Sequence, residues 1–266
     1  MRTIYKCFPG GKHKVLTMSY DDGKLSDRKL VAIFNQYGIK GTFHLNSGLI
    51  DGDPHRVPAS EIHELYQGHE VAAHTLTHPT IARCPMEQVV QQILEDRKNL
   101  ERLVGYTVRG LSYPNGSYNQ AIQSMLPHVG IEYSRVVGSS ESFELPDNLF
   151  AWQATCHHKH DLIRLGEEFA ALHKTQYLYM MYVWGHSYEF DNDGNWDLIE
   201  QFCRNMNRRE DVWYATNIEI VDYLKAAANL KFSAAGDVVY NPAAQSVWLS
   251  VDGTIIEIKG GAQVRL

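Results

Sequence analysis

The first candidate for chemistry is the pair Asp21 and Asp22, in the stretch TMSYDDG at residues 17–23. The apolar run before the pair is typical of a buried strand, so the two carboxylates stand where that strand should end. Asp and Gly are also common turn residues, because an Asp side chain hydrogen-bonds its own backbone and Gly accepts a positive φ. Two interpretations are therefore open: a simple turn, or a site where one carboxylate binds a metal and the other transfers a proton.

Two histidines, His74 and His78, are spaced HxxxH in the stretch AHTLTHP. The chain holds 13 histidines, so a coincidental pair is the alternative to a metal site. Both this pair and the aspartate pair follow predicted strands, and the carboxyl ends of barrel strands bring their residues to one face. Two imidazoles and one carboxylate leave open positions for water and substrate, which is typical of a catalytic metal site.

His186 follows the predicted strand QYLYMMYVW and is expected at the same end of the sheet. A single histidine at a strand end is often structural, but beside a metal and a second carboxylate it is the candidate acid. Two groups held in opposite protonation states are the pattern of acid–base hydrolysis. Its neighbours Trp184, Tyr188 and Glu189 are candidate substrate contacts, with strand-end packing and a solvated carboxylate as the alternative.

The elements that must position these residues are strands and helices in alternation. About seven or eight strand-like runs alternate with helical patterns, such as a helix that ends at Gly38 and one from Pro85 to Gly105. Thr216 and Glu219 form a capping-box pattern for the last helix. This alternation favours an α/β fold with a parallel sheet, such as a (β/α) barrel, and leaves an open doubly wound sheet as the alternative.

The pattern changes after about Leu230, where short strand-like runs are separated by turn residues. Between two of these runs, Asp252-Gly253 is a strong hairpin signal. We therefore expect one barrel over residues 1–228 and a small appended β element over residues 229–266.

The composition gives no support for several classes of partner. With 25 Lys+Arg against 31 Asp+Glu, the formal net charge of −6 does not suit nucleic acid or an anionic membrane. The first residues lack the apolar segment of a secretory signal, and no apolar run is long enough to span a bilayer, so we expect a cytoplasmic location. The four cysteines are widely spaced without a CxxC motif, which predicts reduced thiols.

Taken together, the motifs resemble those of the polysaccharide deacetylases, the NodB-homology or carbohydrate esterase family 4 enzymes. TMSYDDG is similar to the family's TFDDG motif, and HTLTH is similar to its H(S/T)xxH motif; the resemblance spans roughly residues 13–225. It implies a distorted (β/α)₇ barrel that removes acetyl groups from N- or O-acetylated sugars with one divalent metal ion, usually zinc.

The resemblance also implies a role for each motif residue. Asp21 matches the catalytic base, and Asp22, His74 and His78 match the three metal ligands. His186, in the stretch WGH where the family has Leu-x-His, matches the catalytic acid. The adjacent carboxylates would then have different roles, because the metal neutralises Asp22 and leaves Asp21 free to accept a proton from the attacking water.

The third motif departs from the family pattern, since SYPNG at residues 112–116 stands where the family has RPPYG. Asn115 replaces a tyrosine whose backbone N–H stabilises the oxyanion, and any non-proline residue supplies that N–H. The family's arginine, which orients the base, is missing. Arg109 is an odd number of positions from Ser112 and would point to the opposite face of a strand. Arg135, on the next strand, is the preferred substitute, with a surface arginine as the alternative.

The family's fourth motif is not evident in the sequence. The stretch AWQATCHH, with Trp152, His157 and His158, occupies its region, and these residues suit packing and a turn equally well. Trp152 and Tyr113 are kept as candidate supporting or substrate-contact residues.

The function predicted is hydrolysis of acetyl groups on an acetylated sugar or oligosaccharide, with a metal-activated water, an Asp base and a His acid. Two alternatives stay open: a catalytically degenerate carbohydrate-binding protein, which the altered third and fourth motifs favour, and a hydrolase of another C–N bond on the same fold.

Overall fold

A sheet of eight parallel strands is the centre of the fold in this computed structural model, which describes residues 2–266. In chain order the first nine strands are β1 (Ile4–Cys7), β2 (Lys14–Asp21), β3 (Gly41–Leu45), β4 (Glu70–Ala73), β5 (Gly110–Ser112), β6 (Tyr133–Arg135), β7 (Cys156–His157), β8 (Tyr179–Gly185) and β9 (Val212–Tyr214). All but β1 belong to this sheet. Seven strands follow the order β6-β5-β4-β3-β2-β8-β7, and β9 pairs with the first half of β2.

The helices alternate with these strands, as the sequence predicts. They are α1 (Asp27–Tyr37), α2 (Ala59–Leu65), α3 (Met86–Val104), α4 (Gln120–Met125), α5 (Leu162–Ala171), α6 (Tyr188–Asp193), α7 (Trp196–Met206) and α8 (Asn217–Asn229). Gly38 and Gly105 end α1 and α3 in the left-handed conformation, with φ of 66° and 79°, which glycine adopts without a Cβ penalty. The predicted capping box of Thr216 and Glu219 is confirmed at the start of α8. Helix α6, directly after His186, was not predicted.

The segment before β7 differs from the single strand that AWQATCHH suggests. Trp152 forms a parallel bridge with Arg135 at the free edge of β6, and only Cys156 and His157 form a strand, beside β8. The backbone thus changes partner from one edge of the sheet to the other, so it cannot keep one regular strand. The same segment links the two edges of the sheet. The α/β fold with a distorted (β/α)₇ barrel is confirmed.

The core lies on both faces of the sheet. Every residue of β2 is buried, as expected for a central parallel strand that is covered on both sides. Because all neighbouring strands are parallel, their carboxyl ends lie at one end of the barrel, where parallel α/β folds place their binding sites.

Five short strands follow Leu230: β10 (Lys231–Phe232), β11 (Val238–Tyr240), β12 (Val247–Val251), β13 (Thr254–Ile258) and β14 (Gln263–Arg265). The predicted hairpin at Asp252-Gly253 is confirmed, because it joins β12 to β13 with both residues at positive φ. Strand β1 pairs with β12, so this small sheet also takes a strand from the start of the chain. The division into two domains at residues 228 and 229 stays a prediction.

Two further sequence predictions concern thiols and membranes. The four cysteines are free, and Cys84 is the one that is partly exposed. Among the described residues, no helix combines the length and the hydropathy that a membrane span requires.

Candidate metal and catalytic site

Asp22 stands directly after the last residue of β2 in a strained backbone conformation. Its φ is 82°, a region that non-glycine residues seldom adopt and that often marks functional sites. Two hydrogen bonds hold it there: its N–H donates to the His44 carbonyl at 2.9 Å, and the Arg56 guanidinium donates to its own carbonyl. The turn predicted for DDG therefore exists, and it aims the Asp22 side chain at the histidine pair.

His74 and His78 reach Asp22 from the loop after β4. Each Nε2 atom lies 4.0 Å from Asp22 Oδ1, and the candidate ligand atoms of the three residues all lie within 4.8 Å of one another. The HxxxH pair thus lies in a loop and not on a helix, and His78 has a φ of 61° there. One carboxylate oxygen and two imidazole nitrogens are donors that suit a divalent transition metal such as zinc.

The orientation of His74 also fits a metal ligand. Its Nδ1 atom lies 2.8 Å from the Ser112 carbonyl oxygen and 2.6 Å from the Ser112 hydroxyl oxygen. The carbonyl can only accept, so Nδ1 carries the proton and Nε2 presents its lone pair toward Asp22. This is the backbone-anchored orientation that metal-binding histidines commonly have. The residues present therefore fit a divalent cation.

Asp21, the last residue of β2, is buried beside this group and is held by two donors. The Arg135 guanidinium, at the end of β6, donates to Asp21 Oδ2, and the Ser112 hydroxyl donates to Oδ1 at 3.0 Å. Burial alone would raise the pKa of Asp21, but the charges of Arg135 and then His74 lower it well below its ordinary value. Asp21 is therefore a fixed carboxylate whose Oδ2 lies 3.9 Å from His74 Nε2.

Arg135 itself is buried and anchored on two sides. Its guanidinium lies over the Trp184 ring, 4.4 Å from the centroid, and also donates to the Val136 carbonyl. The Trp184 indole N–H donates to the Gly138 carbonyl at 2.8 Å, which fixes the ring that supports the guanidinium. Trp184 is nearly buried, so in this structure it supports Arg135 and offers little surface to a ligand.

His186 follows β8 and is tied to the start of α6. Its Nδ1 atom lies 3.2 Å from Glu189 Oε2, and its backbone N–H donates to the same oxygen at 3.1 Å. Burial acts to lower the pKa of His186, but the hydrogen bond to Glu189 and the negative charges of Asp21 and Asp22 outweigh it and raise the pKa. Glu189 thus contacts the candidate acid directly, which the sequence interpretation as a substrate contact did not foresee.

The remaining candidates occupy different positions. Asn115 lies in the turn after β5 with a φ of 55°, and its side-chain amide donates to Thr80. The Tyr188 ring is half-buried, with its centroid 5.3 Å from that of His186. Tyr113 and Trp152 are buried: the Tyr113 hydroxyl donates to the Phe150 carbonyl, and the Trp152 ring packs against aromatic rings inside the sheet. A direct sugar contact through these two rings does not fit this burial, so only their supporting role is retained.

Arg109 points away from the site, as its odd spacing from Ser112 predicts. Its guanidinium pairs with Asp222 at 2.7 Å and with Glu132 at 3.2 Å. It stands just before β5, at the opposite end of the strand from Ser112, and therefore does not replace the missing family arginine.

Three positioning residues were missed by the sequence reasoning. Ser112 links His74 to Asp21, and Arg56 holds the Asp22 carbonyl. Asp96 accepts the backbone N–H groups of His74 at 3.0 Å and Ser47 at 2.7 Å. Of these three residues, only Asp96 could have been found from the sequence, because it stands on the buried stripe of α3, where an aliphatic residue is expected.

Comparison with known sequences agrees with the motifs. The family model described as polysaccharide deacetylase matches residues 9–134. The peptidoglycan-N-acetylglucosamine deacetylase PgdA of Listeria monocytogenes is 25% identical over 112 residues, which cover 41% of this chain and 23% of PgdA. A chitooligosaccharide deacetylase of Sinorhizobium fredii is 24% identical over 134 residues, covering 49% of this chain and 60% of the relative. The aligned regions thus span only part of each relative.

Solved structures share the fold over most of the chain. A putative polysaccharide deacetylase from Mycobacterium smegmatis has a TM-score of 0.62 at 16% identity, covering 84% of this chain and 94% of that one. The Xyl-CE4 domain of a multidomain xylanase from the hindgut metagenome of Trinervitermes trinervoides has a TM-score of 0.57 at 14% identity, covering 83% and 96%. The structures show the fold, and the family model and the relatives confirm the resemblance: residues 9–134 are similar to the polysaccharide deacetylases.

Proposed function

We propose that this protein is a metal-dependent hydrolase that removes acetyl groups from N- or O-acetylated carbohydrate. The observation that carries the proposal is the pairing of two unlike carboxylates at one strand end. Asp22 lies beside His74 and His78 and suits a metal ligand, whereas Asp21 is held away from that role by Arg135 and Ser112.

The cation site consists of Asp22, His74 and His78, and zinc is the first choice because two imidazoles and one carboxylate suit it. A divalent cation held there would supply a Lewis acid for the acetyl carbonyl and lower the pKa of a water. The Nδ1 bond of His74 to the Ser112 carbonyl keeps Nε2 available for this purpose.

Asp21 acts as the base that accepts a proton from the attacking water. Its low pKa keeps it ionised at neutral pH, so the carboxylate is free to accept the proton. Arg135 and Ser112 fix the orientation of the carboxylate, and a fixed base is worth more to the reaction than a mobile one.

His186 acts as the acid that protonates the leaving amine or alcohol. Glu189 holds its Nδ1 atom and raises its pKa, which keeps the ring protonated over more of the neutral range. The backbone N–H of Asn115, in the turn after β5, donates to the oxyanion. Tyr188 is the aromatic residue that remains as a candidate substrate contact beside His186.

The test is acetate release from a panel of acetylated substrates by protein loaded with one equivalent of zinc. The panel contains chitooligosaccharides, peptidoglycan fragments, acetylated xylan and an acetylated peptide, and Asp21→Asn is the matched inactive variant. Acetate released from a carbohydrate by the wild-type protein but not by the variant supports the proposal. Release from the peptide alone favours hydrolysis of another C–N bond. Binding of a carbohydrate without release favours the degenerate binding protein.

A further inference from the structure

A second group of metal-ligand side chains, separate from Asp22, His74 and His78, lies beside His186. It consists of His157 and His158, at the end of β7, and Glu189 on α6, whose ligand atoms also lie within 4.8 Å of one another. Glu189 Oε2 is the common atom: it lies 3.1 Å from His157 Nε2 and 3.5 Å from His158 Nε2.

His158 is the unusual member, because it is fully buried and its two ring nitrogens lack hydrogen-bond partners in the structure. The ring is fixed between Tyr20 and Phe190, with centroids 5.8 and 4.2 Å away. A side chain at Gly185 would place its Cβ 2.0 Å from Nδ1, so this glycine makes room for the ring. A buried polar group without a partner costs free energy, and its Nε2 atom faces the Glu189 carboxylate at a distance too long for a normal hydrogen bond.

The separations match those around a metal ion. With bonds of about 2.1 Å to nitrogen and oxygen, neighbouring ligand atoms of a tetrahedral ion lie about 3.4 Å apart. The two Nε2-to-Oε2 distances of 3.1 and 3.5 Å bracket that value. We propose that His157, His158 and Glu189 form a second binding site for a divalent transition-metal cation such as zinc.

Lys159 is a positive side chain beside this second site, and its contacts are compatible with a bound cation. Lys159 Nζ contacts the other oxygen of Glu189, Oε1, at 3.3 Å, so it leaves Oε2 to the histidines. Lys159 also pairs with Asp193 at 2.7 Å and is 39% exposed. It therefore retains a partner and access to water when a cation approaches Glu189.

The second site has a consequence for catalysis that rests on the proposed function. Glu189 Oε2 is the same atom that accepts from the backbone N–H and Nδ1 of His186. A cation on Oε2 competes for the lone pairs that hold His186, so the ring loses the contacts that fix its position. Zinc bound at this second site therefore inhibits deacetylation.

Counting bound zinc tests the site without any reference to activity. Metal-free protein is titrated with zinc chloride in a calorimeter, and bound zinc is measured by elemental analysis after dialysis. We expect two equivalents for the wild-type protein, one for His157→Ala, one for His74→Ala and none for the double variant. His160→Ala is the matched control: His160 lies on the same segment, pairs with Glu141 and is exposed, so this variant keeps two equivalents.

Cobalt(II) gives an independent signal, since its visible absorption depends on the ligands and should change in two steps for the wild-type protein. Glu189→Gln provides a second variant, with circular dichroism to show that it is folded, and it too should lose the second step. A wild-type protein that binds a single equivalent overturns the proposal, as does His157→Ala that still binds two. If two equivalents bind but no acetate is ever released, the second site stands and the proposed function fails.

Discussion

The Arg135 guanidinium donates to the Asp21 carboxylate, although the strands that carry them are separated by three others in the sheet. Such a contact requires the sheet to curl, so that the ends of β6 and β2 face each other across the barrel. Both residues are buried, and a buried carboxylate beside a buried guanidinium is stable only as a pair. The contact is the one expected of the preferred substitute for the family's motif arginine, and the role of Arg135 in catalysis stays a prediction.

Replacing Arg135 tests whether this pair supports catalysis. In Arg135→Lys the charge is kept but the planar donor is lost, so Asp21 stays ionised with a less fixed orientation. We expect kcat to fall at least about tenfold, in the range for misplaced catalytic groups, with zinc stoichiometry unchanged. Arg135→Met should also lower stability, by roughly 3–5 kcal/mol, because Asp21 is left buried without its partner.

The control for this prediction is Arg109→Met. It removes an arginine that pairs with Asp222 and Glu132 away from the site. Its pairs are partly exposed, so we expect a stability loss of about 1 kcal/mol or less and an unchanged kcat. If kcat fell as much in Arg109→Met as in Arg135→Lys, the loss in Arg135→Lys would be a general structural effect and would not come from its contact with Asp21.

How much of this site the sequence predicts depends on the kind of signal each residue gives. Asp22, His74 and His78 stand in short motifs with fixed spacing, and strand periodicity places them at one end of the sheet. Glu189 has no such signal for its contact with His186, because that contact depends on the unpredicted helix α6. Alternation of side chains along a strand was enough to exclude Arg109 from the site, because Arg109 is an odd number of positions from Ser112.

The parts of the fold that local sequence patterns determine were predictable, and the parts that depend on long-range contacts were not. Regular alternation and caps are local, and these predictions were confirmed. The segment from Trp152 to His157 and the pairing of β1 with β12 depend on contacts between residues far apart in the chain, which no local pattern records. Ser112 and Arg56 act through hydrogen bonds of the same long-range kind.

The pH dependence of deacetylation should report the hydrogen bond between His186 and Glu189. The acid must be protonated, so the rate falls as pH rises through the pKa of His186. Burial lowers that pKa, but the hydrogen bond to Glu189 together with the negative charges of Asp21 and Asp22 outweighs burial, so the alkaline limb of the wild-type profile should lie above the ordinary histidine value of about 6.5. Glu189→Gln removes the negative charge and should move this limb to lower pH.

The measurement is kcat against pH for both proteins with one equivalent of zinc. Tyr188→Phe is a matched variant on the same helix that keeps the Glu189 carboxylate, and its alkaline limb should not move. An unchanged limb in Glu189→Gln would show that His186 is not the acid, or that Glu189 does not set its pKa.

The C-terminal β element should contribute to stability through its inner face alone. Leu249 on β12 is fully buried, whereas Ile255 on the paired strand β13 is 47% exposed. Leu249→Ala should therefore cost about 2–5 kcal/mol of the free energy of unfolding, as buried leucines do. Ile255→Ala should change it by no more than about 0.5 kcal/mol. Urea unfolding of both variants checks this, and equal losses would contradict the predicted packing.

Truncation after Leu230 extends the same reasoning. It would remove β12 and expose the side of α8 and β1 that the small sheet covers, so we expect lower solubility. A truncated protein with unchanged solubility and melting temperature would show that the element folds independently of the barrel.

Substitution of each neighbouring aspartate should separate metal binding from proton transfer. Asp22→Asn keeps the positive φ of 82°, which Asn tolerates, so the backbone is retained and only the charge of the ligand is lost. A neutral amide is a poor metal ligand, and we expect zinc affinity to fall while the fold is kept. Asp21→Asn leaves Asp22, His74 and His78 in place, so zinc should remain.

In Asp21→Asn the loss should appear in turnover, by roughly 10²–10⁴, the usual contribution of a positioned base. The single amide oxygen can replace only one of the two carboxylate oxygens that accept from Ser112 and Arg135, and Arg135 loses its counter-charge, so the melting temperature is measured alongside. The decisive comparison is acetate release at matched zinc occupancy, with bound zinc counted in each sample. If both variants lose zinc to the same degree, the assignment of Asp22 as metal ligand and Asp21 as base is wrong. If Asp21→Asn keeps its zinc, its fold and its turnover, the base is another group.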